Sequence, residues 1–172
     1  MKIRPETSHD HGQIASLISE AFAKAPHSSG TEAEIVARLR KAGDLLLSLL
    51  AEQDGSLVGH VAVSAGAIGV DENWRCIGPI AVRPSHQGKG FGAALMEEVL
   101  ARAHDENAAG VALVGDPDYY RRFGFAPHHG VSVPGIPDHV VLLRPFGSAA
   151  PQGVLRFAPG FGIDYGEAAP NL

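Results

Sequence analysis

Apolar side chains recur along this chain in two rhythms, and the changes between them mark off the elements. Ile3 to Pro5 reads as a short opening strand. Behind Asp10, a common N-cap residue, Ile14, Leu17, Ile18 and Phe22 repeat at helical spacing until a break at Pro26–Gly30. Thr31 opens a second helix that carries Ile35 and Leu39 to about Lys41, with Glu34 completing a capping box. Leu45–Glu52 and Leu57–Ser64 are strand-like runs around Asp54-Gly55, a hairpin turn pair. Cys76–Val82 is another apolar run, stopped by Arg83-Pro84. After glycine-rich Gln87–Gly92, the positions Leu95, Val99, Leu100 and Ala103 predict a helix from Phe91 to about Asn107, with Gly110 just beyond. Val111–Gly115 reads as a short buried strand, and Tyr119-Tyr120-Arg121-Arg122 as one or two helical turns. Extended chain restarts at Gly124-Phe125, and Val140–Leu143 is a late strand. Past Pro145, Gly, Ala and Pro dominate, with an apolar patch at Val154, Leu155, Phe157 and Phe161 suited to a last strand or a packed tail.

This alternation predicts a mixed α/β plan around one sheet, with no repeat and no linker. The 172 residues suit one domain over 1–172, with a core at 1–146 and a C-terminal strand or tail at 147–172. Apolar residues at 45% and charged residues at 19% describe a globular chain. A net charge of −5 argues against nucleic acid as a partner and suits a small cationic substrate. A single cysteine, Cys76, forms no intrachain disulfide. With neither a secretory leader pattern nor an apolar run long enough for a membrane span, the expectation is a cytoplasmic protein, monomer or homodimer.

Candidate chemistry concentrates between Ile77 and Leu95. A buried strand feeds a turn bearing Gly88, Gly90 and Gly92, and the turn opens a helix. The first N–H groups of a helix lack intrahelical partners and carry partial positive charge, so they attract phosphate. Glycine lets the backbone come close to an anion, and Lys89 adds a cation; the same glycines also serve a plain, softened helix start. Gly88-x-Gly90-x-x-Ala93 formally matches a dinucleotide fingerprint, with Asp116 as its ribose acid. Five residues, Arg83 to Gln87, however, separate the strand from the first glycine, where that fingerprint wants glycine at the strand end. A Walker loop fails too, because Gly90 rather than Ser or Thr follows Lys89.

Gln87-Gly88-Lys89-Gly90-Phe91-Gly92 resembles the acyl-CoA signature of the GNAT superfamily of N-acetyltransferases, Gln/Arg-x-x-Gly-x-Gly/Ala. Ile80-Ala81-Val82-Arg83-Pro84 matches that family's fourth strand and its exit, and Tyr120-Arg121-Arg122-Phe123-Gly124-Phe125 its Tyr-x-x-x-Gly-Phe element. Gly115-Asp116-Pro117 and the aromatic tail are similar to a bacterial subgroup of acetyltransferases. The resemblance implies a GNAT-like α/β fold with a central mixed sheet of six to seven strands flanked by helices. It implies acetyl-CoA as cosubstrate, no metal, and direct transfer of the acetyl group to a primary amine on a small molecule or peptide. Backbone N–H groups of Gln87, Gly88, Lys89, Gly90, Phe91 and Gly92 would hold the pyrophosphate. Main-chain groups of Ile80, Ala81 and Val82 would pair with the pantetheine arm as if it were a strand. A backbone N–H near Ile80 would serve the oxyanion.

The leaving thiolate needs a proton, and Tyr120 is the candidate general acid, since a phenol stays protonated at neutral pH; Tyr119 is the alternative. The amine must lose a proton, yet Trp74 to Pro79 contains no acid. Asp71, Glu72, His60, His86 and Asp116 are the candidate bases. Nine histidines invite a metal reading, but His128, His129 and His139, or His9 and His11, lack a metal-ligand spacing and read as surface-loop residues. Cys76 reads as core, Arg121 and Arg122 as solvated helix charges, and Trp74 as cleft lining or edge cover. The rival functions are an acyl-CoA sensor without turnover and a nucleotide-dependent oxidoreductase.

Overall fold

The structure is a computed structural model and describes residues 1–26 and 28–166. Among these, nine strands form the sheet and four α-helices pack on it. The strands are β1 (Lys2–Pro5), β2 (Leu45–Gln53), β3 (Ser56–Ile68), β4 (Asp71–Val82), β5 (Gly110–Val114), β6 (Ala126–Pro127), β7 (Val131–Ser132), β8 (Val141–Pro145) and β9 (Gly153–Phe157). The helices are α1 (His11–Phe22), α2 (Glu32–Ala42), α3 (Phe91–Asp105) and the single turn α4 (Pro117–Tyr120). None is long and apolar enough to cross a membrane.

Strand order along the sheet is β1-β2-β3-β4-β5-β8-β6. Only β4 and β5 run parallel along that path, with α3 as their crossover. Alternation along β3 sends Val61 and Val63 to the face covered by Leu95, Met96 and Val99 of α3. Ala62 goes to the other face, with Ile14, Leu17 and Ile18 of α1 and Val36 of α2. Asp54 and Gly55 both take positive φ, 51° and 78°, which closes the β2–β3 hairpin as their residue types predict. Helix α2 ends on Gly43 in the left-handed conformation.

The nine strands exceed the six to seven expected, and three of them account for the excess. Two of them, β6 and β7, hold two residues each, too few for any alternation to register. The third, β9, is the apolar patch of the tail: it pairs antiparallel with Gly66, Ala67 and Ile68, on the edge of β3 that β2 occupies up to Ser64. Strands β3 and β4 also run past their apolar stretches, because a turn at Gly69 returns the chain through the exposed residues Asp71, Glu72 and Asn73 before Trp74. The expected Thr31–Glu34 capping box is not formed. Thr31 makes no side-chain cap, Glu34 pairs with Arg38, and Glu32 instead accepts from Ser28 Oγ at 2.9 Å and the Ser29 N–H at 3.0 Å.

One irregularity positions everything that follows. Pairing of β4 with β5 covers only Trp74–Cys76 against Gly110–Ala112. Just beyond, the β3–β4 register slips by one residue between Val63↔Ile77 and Val61↔Ile80, so the Gly78-Pro79 segment bulges. Pro79 has no N–H to offer a neighbouring strand. Strand β5 stays paired with β8 along its whole length. From Ile77 onward the parallel pair therefore forks.

Candidate active site

The fork opens into a cleft of about 480 Å³. Its strand walls are Ile77, Gly78, Pro79 and Ile80 on β4 and Leu113 and Val114 on β5, with Tyr120 beside them. Phe22 at the end of α1, and Ser29, Glu32 and Ile35 around the start of α2, face these strands. Ile136 and the tail residues Phe157, Phe161 and Ile163 complete the lining. The tail is fastened there: Arg38 Nε of α2 donates to the Gly160 carbonyl at 2.8 Å, and the Phe157 and Phe161 rings lie 4.9 Å apart.

A second cavity, of about 430 Å³, lies where β4 ends and α3 begins. Val82, His86, Gln87, Gly88, Gly90, Phe91 and Gly92 line it, with Tyr119 and Arg122 opposite. The glycine turn is stapled to the strand it leaves, β4, and to that strand's neighbour, β3. Gln87 Nε2 donates to the Val82 carbonyl at 3.1 Å, the Arg83 N–H to Val58 O at 2.9 Å, and Arg83 Nε to Leu57 O at 2.8 Å. Gly88 and Gly90 sit at φ 74° and 89°, conformations that favour glycine, and Gly90 is the N-cap of α3. The first intrahelical bond runs from the Ala94 N–H to Gly90 O, so the N–H groups of Phe91, Gly92 and Ala93 have no helical acceptor. The Phe91 side chain turns inward to anchor the helix start in the core.

Of the residues singled out in the sequence, Gln87, Gly88, Gly90, Phe91, Gly92 and Val82 meet at the second cavity and Ile80 and Tyr120 at the first. Two side chains do not join them: Lys89 is exposed and lines neither cavity, and Ala81 is buried against α1 on the opposite face. Neither position depends on its side chain for a main-chain role. Arg122, read as a solvated charge, lines the second cavity, where its guanidinium lies 4.4 Å above the Tyr119 ring and its Nε donates to Tyr119 O. Among the described residues, Arg121 pairs with Asp118 on the surface.

The two tyrosines of α4 meet edge to face, with ring centroids 4.9 Å apart, yet line different cavities. The Tyr119 hydroxyl lies 3.6 Å from where a Cβ on Gly92 would stand, whereas Tyr120 lines the cleft. Asp116 caps this turn by accepting from the Asp118 N–H at 2.9 Å. Gly115 is required just before it, because a Cβ there would overlap the Tyr120 ring. Burial, reinforced by Tyr119 and Asp116, pushes the Tyr120 phenol up to about 12.

None of the five candidate bases lines the cleft. Asp71 and Glu72 open β4 at its far, exposed end, Asp116 is a cap, and His86 belongs to the second cavity, edge-on to Phe91. His60 is fully buried beneath the helices, where it bonds Ser48 Oγ at 2.9 Å, and burial lowers it to about 4. The carboxylate that does line the cleft is Glu32. Sequence reading passed over it because Glu34 sits at the regular capping position; the Ser28-Ser29 pair just before Thr31 was the available signal. Cys76 is core, with burial raising its thiol to about 12, and Trp74 packs with it, lining a cavity at the other end of β4. Among the described residues no three His, Cys, Asp or Glu side chains converge as a metal site.

Comparison with known proteins identifies this arrangement. A family model described as an acetyltransferase (GNAT) domain matches residues 2–128. The chain is 37% identical over 133 residues to the N-acetyltransferase YhbS of Escherichia coli strain K12, covering 75% of this chain and 77% of that protein. Among solved structures, a GNAT family acetyltransferase from Brucella melitensis in complex with acetyl-CoA is 38% identical with a TM-score of 0.82, covering 93% of this chain and 97% of that one. YhbS from Escherichia coli in complex with CoA is 30% identical with a TM-score of 0.84, covering 94% and 91%. Matched in sequence over most of its length and in fold over nearly all the rest, this chain is an acyltransferase and belongs to the GNAT acetyltransferase family.

Proposed function

We propose that this enzyme transfers the acetyl group of acetyl-CoA directly to a primary amine, with the whole chain acting as one transferase unit. The observation that carries the reading is the fork itself: along one strand, β4, an open edge at Ile80 leads to a glycine-lined helix start at Gln87–Gly92, and one turn, α4, serves both cavities. The N–H groups from Gln87 to Gly92 hold the diphosphate, with Arg122 as a cation nearby. Main-chain groups of Ile80, Ala81 and Val82 pair with the pantetheine arm, which takes the place that β5 vacates. The thioester then lies beside Tyr120, and a β4 amide near Ile80 receives the oxyanion.

The chemistry balances without further reagents. The amine, having given up its ammonium proton, uses its lone pair to form a C–N bond at the carbonyl carbon. The tetrahedral intermediate collapses with the C–S bond pair leaving on sulfur. Tyr120 donates its hydroxyl proton to that sulfur, and the proton shed by nitrogen restores the phenol directly or through water. Summed, one ammonium and one thioester give one amide, one free thiol and one proton. A phenol held near 12 remains the protonated, donating species throughout the neutral range.

Thiol release tests the reading. Protein with acetyl-CoA and a panel of monoamines, polyamines, amino acids and peptides should release CoA thiol well above the hydrolysis rate for at least one acceptor. Acetyl-CoA that binds and is never consumed in the presence of any amine would instead mark an acyl-CoA sensor.

A further inference from the structure

The acceptor side of the cleft has an unusual charge pattern. Among the described residues lining it, Glu32 alone carries a charge. Setting aside Glu32, Tyr120 and the β4 and β5 residues, what remains is Ser29 and the apolar wall of Phe22, Ile35, Ile136, Phe157, Phe161 and Ile163. Glu32 is held in place there. Its Oε1 accepts from Ser28 Oγ and the Ser29 N–H, while its Oε2 accepts from none of the described residues. It stands in the first turn of α2, at the positive end of the helix dipole.

We propose that the acceptor is a small hydrophobic monoamine, an arylalkyl- or branched alkylamine, whose ammonium binds Glu32 and whose apolar body packs on the Phe157–Phe161 wall. The inference rests on the acetyl-transfer reading for which end of the cleft receives the thioester. It follows from counting charges. A polyamine or aminoglycoside would bring two or more ammonium groups to one carboxylate, and each unpaired charge taken from water is costly. A free amino acid would bring a carboxylate to a wall with no cation. One ammonium on an uncharged apolar body leaves nothing unpaired. The cleft's volume of about 480 Å³ lies within the range of small-molecule sites.

Calorimetry on the protein saturated with CoA tests this without requiring turnover. Phenethylamine should bind about tenfold or more tighter than phenylethanol, its neutral isostere, and tighter than phenylalanine or spermidine, the scale expected of one charge-assisted contact. Glu32→Gln keeps an acceptor for Ser28 and Ser29, so it should fold normally and retain acetyl-CoA affinity while losing most of that tenfold preference. Ile163→Asp, which adds a second carboxylate on the half-buried tail, should shift preference toward spermidine. Equal binding of phenylethanol, stronger binding of spermidine or phenylalanine by the unaltered protein, or binding of none overturns the inference. Thiol release that favours spermidine or phenylalanine overturns it while leaving acetyl transfer intact. Tight phenethylamine binding without thiol release does the reverse.

Discussion

Tyr119 and Tyr120 are chain neighbours in edge-to-face contact, yet one lines the helix mouth and the other the fork. Replacing Tyr120 with Phe should lower kcat by about two orders of magnitude, the usual size of a lost proton donor, with acetyl-CoA affinity nearly unchanged by calorimetry. With that phenol near 12, kcat/KM should show no descending limb between about pH 8 and pH 10, whereas an ordinary phenol would begin to ionise there. Gly115→Ala probes the same side chain from behind: the new methyl displaces the Tyr120 ring, so kcat should fall and acetyl-CoA affinity should hold. Arg122→Ala should act the other way, raising the acetyl-CoA KM several-fold with kcat preserved, as expected where a phosphate contact is equal in ground and transition states. That Tyr120 lines the cleft was legible because its motif is local. Arg122 and Glu32 were not, because an exposed charge on a helical turn looks the same in sequence whether it faces water or a cavity.

At the scale of elements, a polar network ties five segments beneath the sheet. Glu6 accepts from Arg40 of α2 and from Ser48 of β2, lies 3.4 Å from His11 of α1, and Ser48 in turn meets His60 of β3. His60 is neutral when folded, held near 4 chiefly by burial, while in the unfolded chain it titrates near 6.5. Between those values the unfolded state binds the extra proton, so folding stability is full above about pH 6.5 and declines as pH falls toward about 4, by up to roughly 3 kcal/mol. Thermal melts across that window should show the loss, and His60→Gln should flatten it. Elements with strong periodicity, α1, α3 and the β2–β3 hairpin, were readable in advance. The β4 bulge and the two-residue strands were not, since they depend on partners remote in sequence.

For the molecule as a whole, the matched family segment ends at residue 128, while Ile136, Phe157, Phe161 and Ile163 lie beyond it. The glycine turn and the fork, the proposed cosubstrate site, thus lie inside the matched segment, and much of the proposed acceptor wall lies outside it. The order of elements announced the first; the second emerged only once β9 was seen to lie against the far half of β3. The three rungs between Trp74–Cys76 and Gly110–Ala112 have a further mechanical consequence. A sheet zipped at one end and parted at the other is a hinge waiting for a splint, and a bound pantetheine would be that splint. Amide hydrogens along Ile77–Val82 should exchange more slowly with acetyl-CoA present, those of the β2–β3 hairpin should not change, and the enzyme should slacken each time spent coenzyme departs.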